Sequence, residues 1–231
     1  MKIAIGGAIW RTAETGYWKC LKPVLDQLDA FHMPILGDAL VERARSTCAT
    51  LFLTTDADVL MSIDSDIVNF TPEHVQTVCE GAEEHGVVSG LYVTRGTPVS
   101  NPRPSVVPMN GVVINLREPE LVEMRWLPQG FIAVHRRVFE EMKKTLPVLH
   151  ELKGGMWPFY QTFEFYDPDE GRILLGEDWA FCERARQAGF KSYLDPSVTV
   201  GHVGSYIYSI KDLGEYPRTL QLSHMNWIVR Q

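Results

Sequence analysis

The sequence predicts an α/β fold with a mostly parallel central sheet flanked by helices on both faces. Apolar β-type runs alternate with amphipathic helical patterns through the first half of the chain, and N-cap, Gly and Pro residues punctuate the boundaries. The 231 residues, 45% hydrophobic and 22% charged, supply enough apolar material for the core of one domain.

Residues 2–5 read as a buried opening strand that runs into Gly6 and Gly7, and a helix over about 15–30 completes a β-loop-α start. A short apolar stretch, 34–36, precedes Asp38, read as the N-cap of a helix in which Val41, Ala44, Cys48 and Leu51 recur at helical spacing. Arg45 is expected on its polar face. Residues 59–63 form a compact strand ending in Asp64, Ser65 and Asp66, Thr71 and Pro72 open a helix to about residue 85, and 87–92 form the next strand.

Pro98, Pro102, Pro104 and Pro108 then crowd a stretch that is neither helix nor central strand, read as a long mobile loop. Shorter strands are expected at 111–116, 123–127 and 131–134, and a helix at 137–146. An aromatic-rich loop with Trp157, Phe159, Tyr160, Phe163, Phe165 and Tyr166 leads to Gly176, Glu177 and Asp178, which open a helix stopped by Gly189. Strands at 192–194 and 198–200 deliver His202, and 204–231 reads as an arm or lid whose aromatics are Tyr206, Tyr208, Tyr216 and Trp227.

A formal net charge of −7 gives no general attraction for phosphate backbones, so no nucleic-acid partner is expected. Four widely spaced cysteines show neither a C-x-x-C pair nor zinc-ligand spacing. Three of them sit in helical apolar patterns and fit small buried hydrophobes, and a reducing cytoplasm is expected. The apolar start is too short for a secretory signal, and no stretch approaches the ~20 apolar residues that cross a bilayer. A membrane contact would be a peripheral visit.

Asp64 and Asp66 follow an apolar strand two residues apart, so extended backbone points both carboxylates to one side, where a divalent ion bridging them to a diphosphate would neutralise them. The alternative is a turn that caps the helix near Pro72. Asp178 shares the inward face of its helix with Phe181, Cys182 and Ala185, where it could accept a proton, or it could simply cap the helix together with Glu177. His202, framed by Gly201 and Gly204, reads either as a structural histidine or as an imidazole brought to a ligand, and with carboxylates it favours Mn²⁺ over Mg²⁺.

Taken together, the β-loop-α start, the Arg-bearing helix before Asp64-Ser65-Asp66, the run Gly176-Glu177-Asp178-Trp179-Ala180-Phe181-Cys182 and the late His202-Val203-Gly204 resemble the GT-A fold glycosyltransferases. The likeness is to bacterial, phage and large-virus members related to family 2. It implies one Rossmann-like domain over 1–231, with a nucleotide-sugar half at about 1–110, an acceptor and catalytic half with a smaller mixed sheet at about 111–204, and the arm beyond.

By that resemblance Asp64, Ser65 and Asp66 are the D-x-D that binds metal and donor, with His202 as third metal anchor, and Asp178 beside Glu177 is the base. Arg45 and the loop Ala8, Ile9 and Arg11 approach the nucleotide, while Trp126, Gly130 and Phe131 line the acceptor side. The implied activity is metal-dependent transfer from a nucleotide-diphosphate sugar, UDP-sugar favoured, to a glycan or other hydroxyl acceptor. Two rivals remain open: a sugar-nucleotide nucleotidyltransferase, against which the missing Gly-rich phosphate loop counts, and a non-catalytic glycan-binding module.

Overall fold

The computed structural model describes residues 1–95, 103–109, 111–151, 154–168, 170–213, 219–223 and 226–230. The first half alternates as expected: β1 (Ile3–Ile9), α1 (Thr15–Gln27), β2 (Ala30–Leu36), α2 (Val41–Phe52), β3 (Val59–Ile63), β4 (Ile67–Val68), α3 (Pro72–His85) and β5 (Val87–Leu91). Short strands follow, β6 (Val107–Pro108), β7 (Val113–Asn115), β8 (Val122–Trp126) and β9 (Phe131–His135), then α4 (Arg136–Met142), β10 (Leu149–Glu151), β11 (Gly154–Met156), β12 (Phe163–Asp167) and β13 (Gly171–Leu175). Helix α5 (Glu177–Gln187) leads to β14 (Ser192–Thr199), β15 (Gly201–Val203), β16 (Ile207–Tyr208), a 3-10 turn at Ile210–Leu213, β17 (Thr219–Ser223) and β18 (Asn226–Arg230).

Among the described residues the main sheet has eight strands in the order β2-β1-β3-β9-β5-β14-β8-β6, and β9 and β8 run against the rest. Because β9 is inserted between β3 and β5, its amino end lies beside the carboxyl end of β3, with Phe131 opposite Ile63. β14 runs parallel to β5 and ends at the same edge. The segments after β3, β5 and β14 and before β9 therefore meet at one edge, where open α/β sheets bind ligands. A smaller sheet, β16-β15-β4, crosses this edge and sets His202 opposite Ile67.

Strand alternation divides the core between the two sheet faces. Ala4, Leu60 and Ile132 pack with Phe52 of α2, Phe139 of α4 and Phe181 of α5, whereas Ile5, Met61 and Ala133 pack with Tyr17 and Leu21 of α1 and Val75 and Val78 of α3. Fully buried large side chains such as Phe52, Phe139 and Phe181 each contribute about 1.5–3 kcal/mol of burial energy.

Several expectations change. β1 continues through Gly6 and Gly7 to Ile9 because those glycines permit close approach: a Cβ on Gly7 would lie 2.3 Å from the Ile63 carbonyl oxygen. Ala8 and Ile9 are thus strand residues. β2 begins at Ala30, within the range read as helix, and Pro34 is accommodated because β2, among the described residues, is an edge strand paired with β1.

Asp38 precedes the α2 N-cap position, which is Leu40; its carboxylate accepts the Leu40 N–H at 2.9 Å and pairs with Arg43. Residues 163–175 form a hairpin rather than loop, with the extended turn closed at Gly171, φ 78°. Pro98 and Pro102 lie outside the described residues, while Pro104 bridges Val93 and Pro108 belongs to edge strand β6.

Within the expected arm, β17 pairs with β7, and Tyr216 lies outside the described residues. All four cysteines are free thiols in helices. No helix among the described residues is long and apolar enough to cross a membrane.

Candidate functional site

Asp64 leaves β3 with its backbone N–H donating to the Gly130 carbonyl at 2.9 Å. Gly130 in turn donates its N–H to the Tyr92 hydroxyl at 3.0 Å. A Cβ on Gly130 would stand 2.4 Å from Tyr92 Oη and 3.3 Å from Asp64 Oδ2. The glycine is thus needed for close approach, and Gly130→Ala is expected to cost about 1–3 kcal/mol through overpacking. Urea unfolding measures that cost, and an unchanged midpoint would contradict the tight fit.

Asp66 is fixed from the opposite side. Its carbonyl accepts the Val203 N–H at 2.8 Å, and the β4–β15 pairing brings the His202 ring over it, with Nε2 3.6 Å from Asp66 Oδ2. His202 Nδ1 lies 3.0 Å from the Val93 carbonyl oxygen, which only accepts, so Nδ1 carries a proton and Nε2 is the nitrogen that faces Asp66. The Arg95 guanidinium also pairs with Asp66. Burial pushes the Asp66 carboxyl up, but His202 and Arg95 outweigh it and hold the group below the ordinary aspartate value.

Arg45 is corrected most. It is buried rather than on a polar face, with its side chain 7% exposed between the acids. Val41, Arg45, Cys48 and Phe52 share one helical stripe, which turns the guanidinium inward. It donates to Asp64 Oδ2 at 3.1 Å and to the Gln129 carbonyl at 3.2 Å, and lies 3.8 Å from Asp178 Oδ1.

Arg45 therefore links an acid from β3 to one from α5. Arg45→Met would leave two neighbouring carboxylates without their shared cation, and a loss of about 3–5 kcal/mol is expected in urea unfolding. A loss under 1 kcal/mol would show the linkage to be dispensable.

Helix α5 has Gly176 at its N-cap position and no side-chain cap, so neither Glu177 nor Asp178 serves as one. Likewise α3 is capped by Thr71, whose Oγ1 accepts the His74 N–H, which leaves Asp64 and Asp66 free of that role. Among the described residues Asp178 Oδ1 is buried without a hydrogen-bond partner, while the side chain as a whole keeps 27% exposure. Burial pushes the Asp178 carboxyl up to about 7; Arg45 opposes the rise, and the charges of Glu177 and Asp64 add to it.

Asp64, Asp66, His202, Arg45, Glu177 and Asp178 all border one cavity of about 770 Å³. Tyr92, Arg95, Arg103 and Trp179 border it too, and the sequence pattern did not single these out. The remaining expected residues stand apart. Trp126 and Phe131 are fully buried in the core, and Gly130 acts through its backbone.

Ala8, Ile9 and Arg11 do not line the cavity; Arg11 is exposed beside the Trp10 ring, and the segment after β1 is tied to the site by the Glu14 N–H donating to the Ser65 carbonyl at 2.9 Å. Ser65 contributes that carbonyl.

No protein-family model and no curated sequence matches the chain. Among solved structures, A197 from STIV is similar over 100% of this chain and 95% of its own, at TM-score 0.58 and 18% identity. The structure of GalNAc-T7 with UDP, GalNAc and Mn2+ is similar over 88% of this chain, which spans 43% of that one, at TM-score 0.53 and 12% identity. At such identities the likeness shows the fold, and the fold is the GT-A-like α/β architecture, a large mostly parallel sheet with a smaller one beside it.

Proposed function

We propose that the chain is a metal-dependent glycosyltransferase that moves a sugar from a nucleotide-diphosphate donor, UDP-sugar favoured, to a glycan or other hydroxyl acceptor. One observation carries the reading: two acids after β3, an imidazole after β14 and an acid on α5 border a single cavity at the ligand-binding edge of the sheet. GalNAc-T7 with UDP and Mn2+ shares the architecture and supports the choice of ligands.

The donor set suits a divalent ion. Asp66 favours its ionised form, and His202 offers Nε2 while its Nδ1–H is anchored on a backbone carbonyl, the usual support for a ligating imidazole. Among the described residues no three such side chains form a ready cluster, and Asp64 Oδ2 accepts a hydrogen bond from Arg45. Asp66 and His202 would hold Mn²⁺ or Mg²⁺, with Asp64 next to them. A divalent ion held there would supply positive charge for a leaving diphosphate.

The residues of the chain do the rest. Asp178 accepts the proton of the acceptor hydroxyl, whose oxygen bonds to the anomeric carbon as the bond to the diphosphate oxygen breaks and the electron pair leaves with the nucleotide. Arg45 keeps Asp178 beside Asp64.

A thermal-shift panel of UDP, GDP, dTDP and CMP sugars, with and without Mn²⁺, tests the proposal. A donor at a hundred times its Kd stabilises by about 2.7 kcal/mol, a rise on the order of 5 °C. Failure of every nucleotide to shift the transition, or release of pyrophosphate from a nucleoside triphosphate, would overturn it.

A further inference from the structure

We propose that Trp179 is a platform on which a pyranose ring of the acceptor stacks, so that the acceptor is a glycan rather than a protein or lipid hydroxyl. The inference rests on the transferase reading above. Trp179 directly follows Asp178 in the first turn of α5, is half-buried and borders the cavity together with Glu177.

Its indole is braced from behind. It lies face to face on Trp126, centroids 4.7 Å apart and planes 15° from parallel. Trp126 is itself 1% exposed, meets Phe165 edge-on at 6.4 Å, and carries the Arg125 guanidinium 4.3 Å from its ring. Arg125 is held by an ion pair with buried Asp167. The ring is therefore fixed before any ligand arrives, and stacking on it costs little conformational entropy.

A pyranose has a face of C–H groups and a rim of hydroxyls. The C–H face suits the negative face of an aromatic ring, and the hydroxyl rim suits carboxylate acceptors. Trp179 between Glu177, Asp178 and the open cavity offers both, and it places a stacked sugar next to the acid assigned as base. An aliphatic hydroxyl would use the carboxylates but gain nothing from a braced aromatic plate.

The test titrates the methyl β-D-pyranosides of glucose, galactose, mannose and N-acetylglucosamine into wild type, Trp179→Leu and Trp179→Phe, with and without saturating UDP and Mn²⁺. Calorimetry reads the affinity. At least one pyranoside should bind wild type, about tenfold weaker to the Leu variant and within about threefold to the Phe variant, since Leu keeps apolar bulk against Trp126 but lacks a ring face.

The thermal shift with UDP and Mn²⁺ should be equal in all three proteins, which separates loss of stacking from loss of folding. Binding of no pyranoside to wild type, or equal affinity in the Leu variant, would overturn the platform. Wild type that ignores UDP yet binds a pyranoside through Trp179 would instead overturn the transferase reading and leave a sugar-binding wall.

Discussion

Asp178→Asn is expected to lower transfer by about 10²–10⁴-fold, the usual contribution of a general base, while a UDP-sugar with Mn²⁺ binds as to wild type. Asn keeps the shape of the side chain and removes its capacity to accept a proton. The group sits 3.8 Å from Arg45 with one oxygen buried, and burial raises its carboxyl to about 7. Wild-type kcat should accordingly fall as pH drops below about 7, because the protonated carboxyl cannot take the acceptor proton.

Stability moves the other way. The unfolded chain releases this proton near ~3.9. Between that value and about 7 the native state holds a proton that the unfolded state lacks, so stability falls as pH rises through the window. The loss is on the order of a few kcal/mol. Urea unfolding at pH values spanning the window should show this decline in wild type and not in Asp178→Asn. A fully active Asn variant would remove Asp178 as the base, and parallel pH curves would show that the buried oxygen holds no proton at neutrality.

Local signals read well where one principle acted without competition. Val59–Ile63 is buried at every position, and Thr71 with Pro72 is an unambiguous cap followed by a first-turn proline, so β3 and α3 emerge with the expected bounds. Sequence pattern failed where a tertiary contact overrode local chemistry. Arg45 lies on the same helical stripe as Cys48 and Phe52, but its charge argues for solvent unless Asp64 and Asp178, 19 and 133 positions away, are known to meet it.

The 163–175 hairpin was hidden because its inward residues Phe163 and Phe165 merge with the aromatic run before them. Trp179 fell off the inward face drawn through residues 178, 181, 182 and 185, and only the placement of Trp126 shows what it rests on. The insertion of β9 between β3 and β5 brings the site together, yet it pairs residues about seventy positions apart and leaves no local mark. Asp64, Asp66, Asp178 and His202 were legible as candidates because carboxylates at strand and helix ends stand out; their convergence depends on strand order.

Asp66→Ala is expected to remove the Mn²⁺ dependence of UDP binding and to weaken that binding about 10²-fold or more, because it deletes the anionic donor that faces His202 Nε2. His202→Ala should weaken it in the same direction but less, as the carboxylate remains. The ligand-free fold should barely notice the loss of Asp66. Its partner Arg95 is 55% exposed and can return to water, and surface ion pairs of that kind contribute about 0–1 kcal/mol.

This contrast with Arg45, whose partners hold it in the interior, separates a residue that binds from one that builds. Calorimetry of UDP with and without Mn²⁺, beside thermal unfolding of both variants, decides the matter. Unchanged affinity in Asp66→Ala would remove the metal from Asp66, whereas lost affinity together with a transition lowered as far as in Arg45→Met would make Asp66 structural. Affinity lost with the transition intact assigns Asp66 to the ligand, for which a half-buried acid opposite an anchored imidazole is chemically suited.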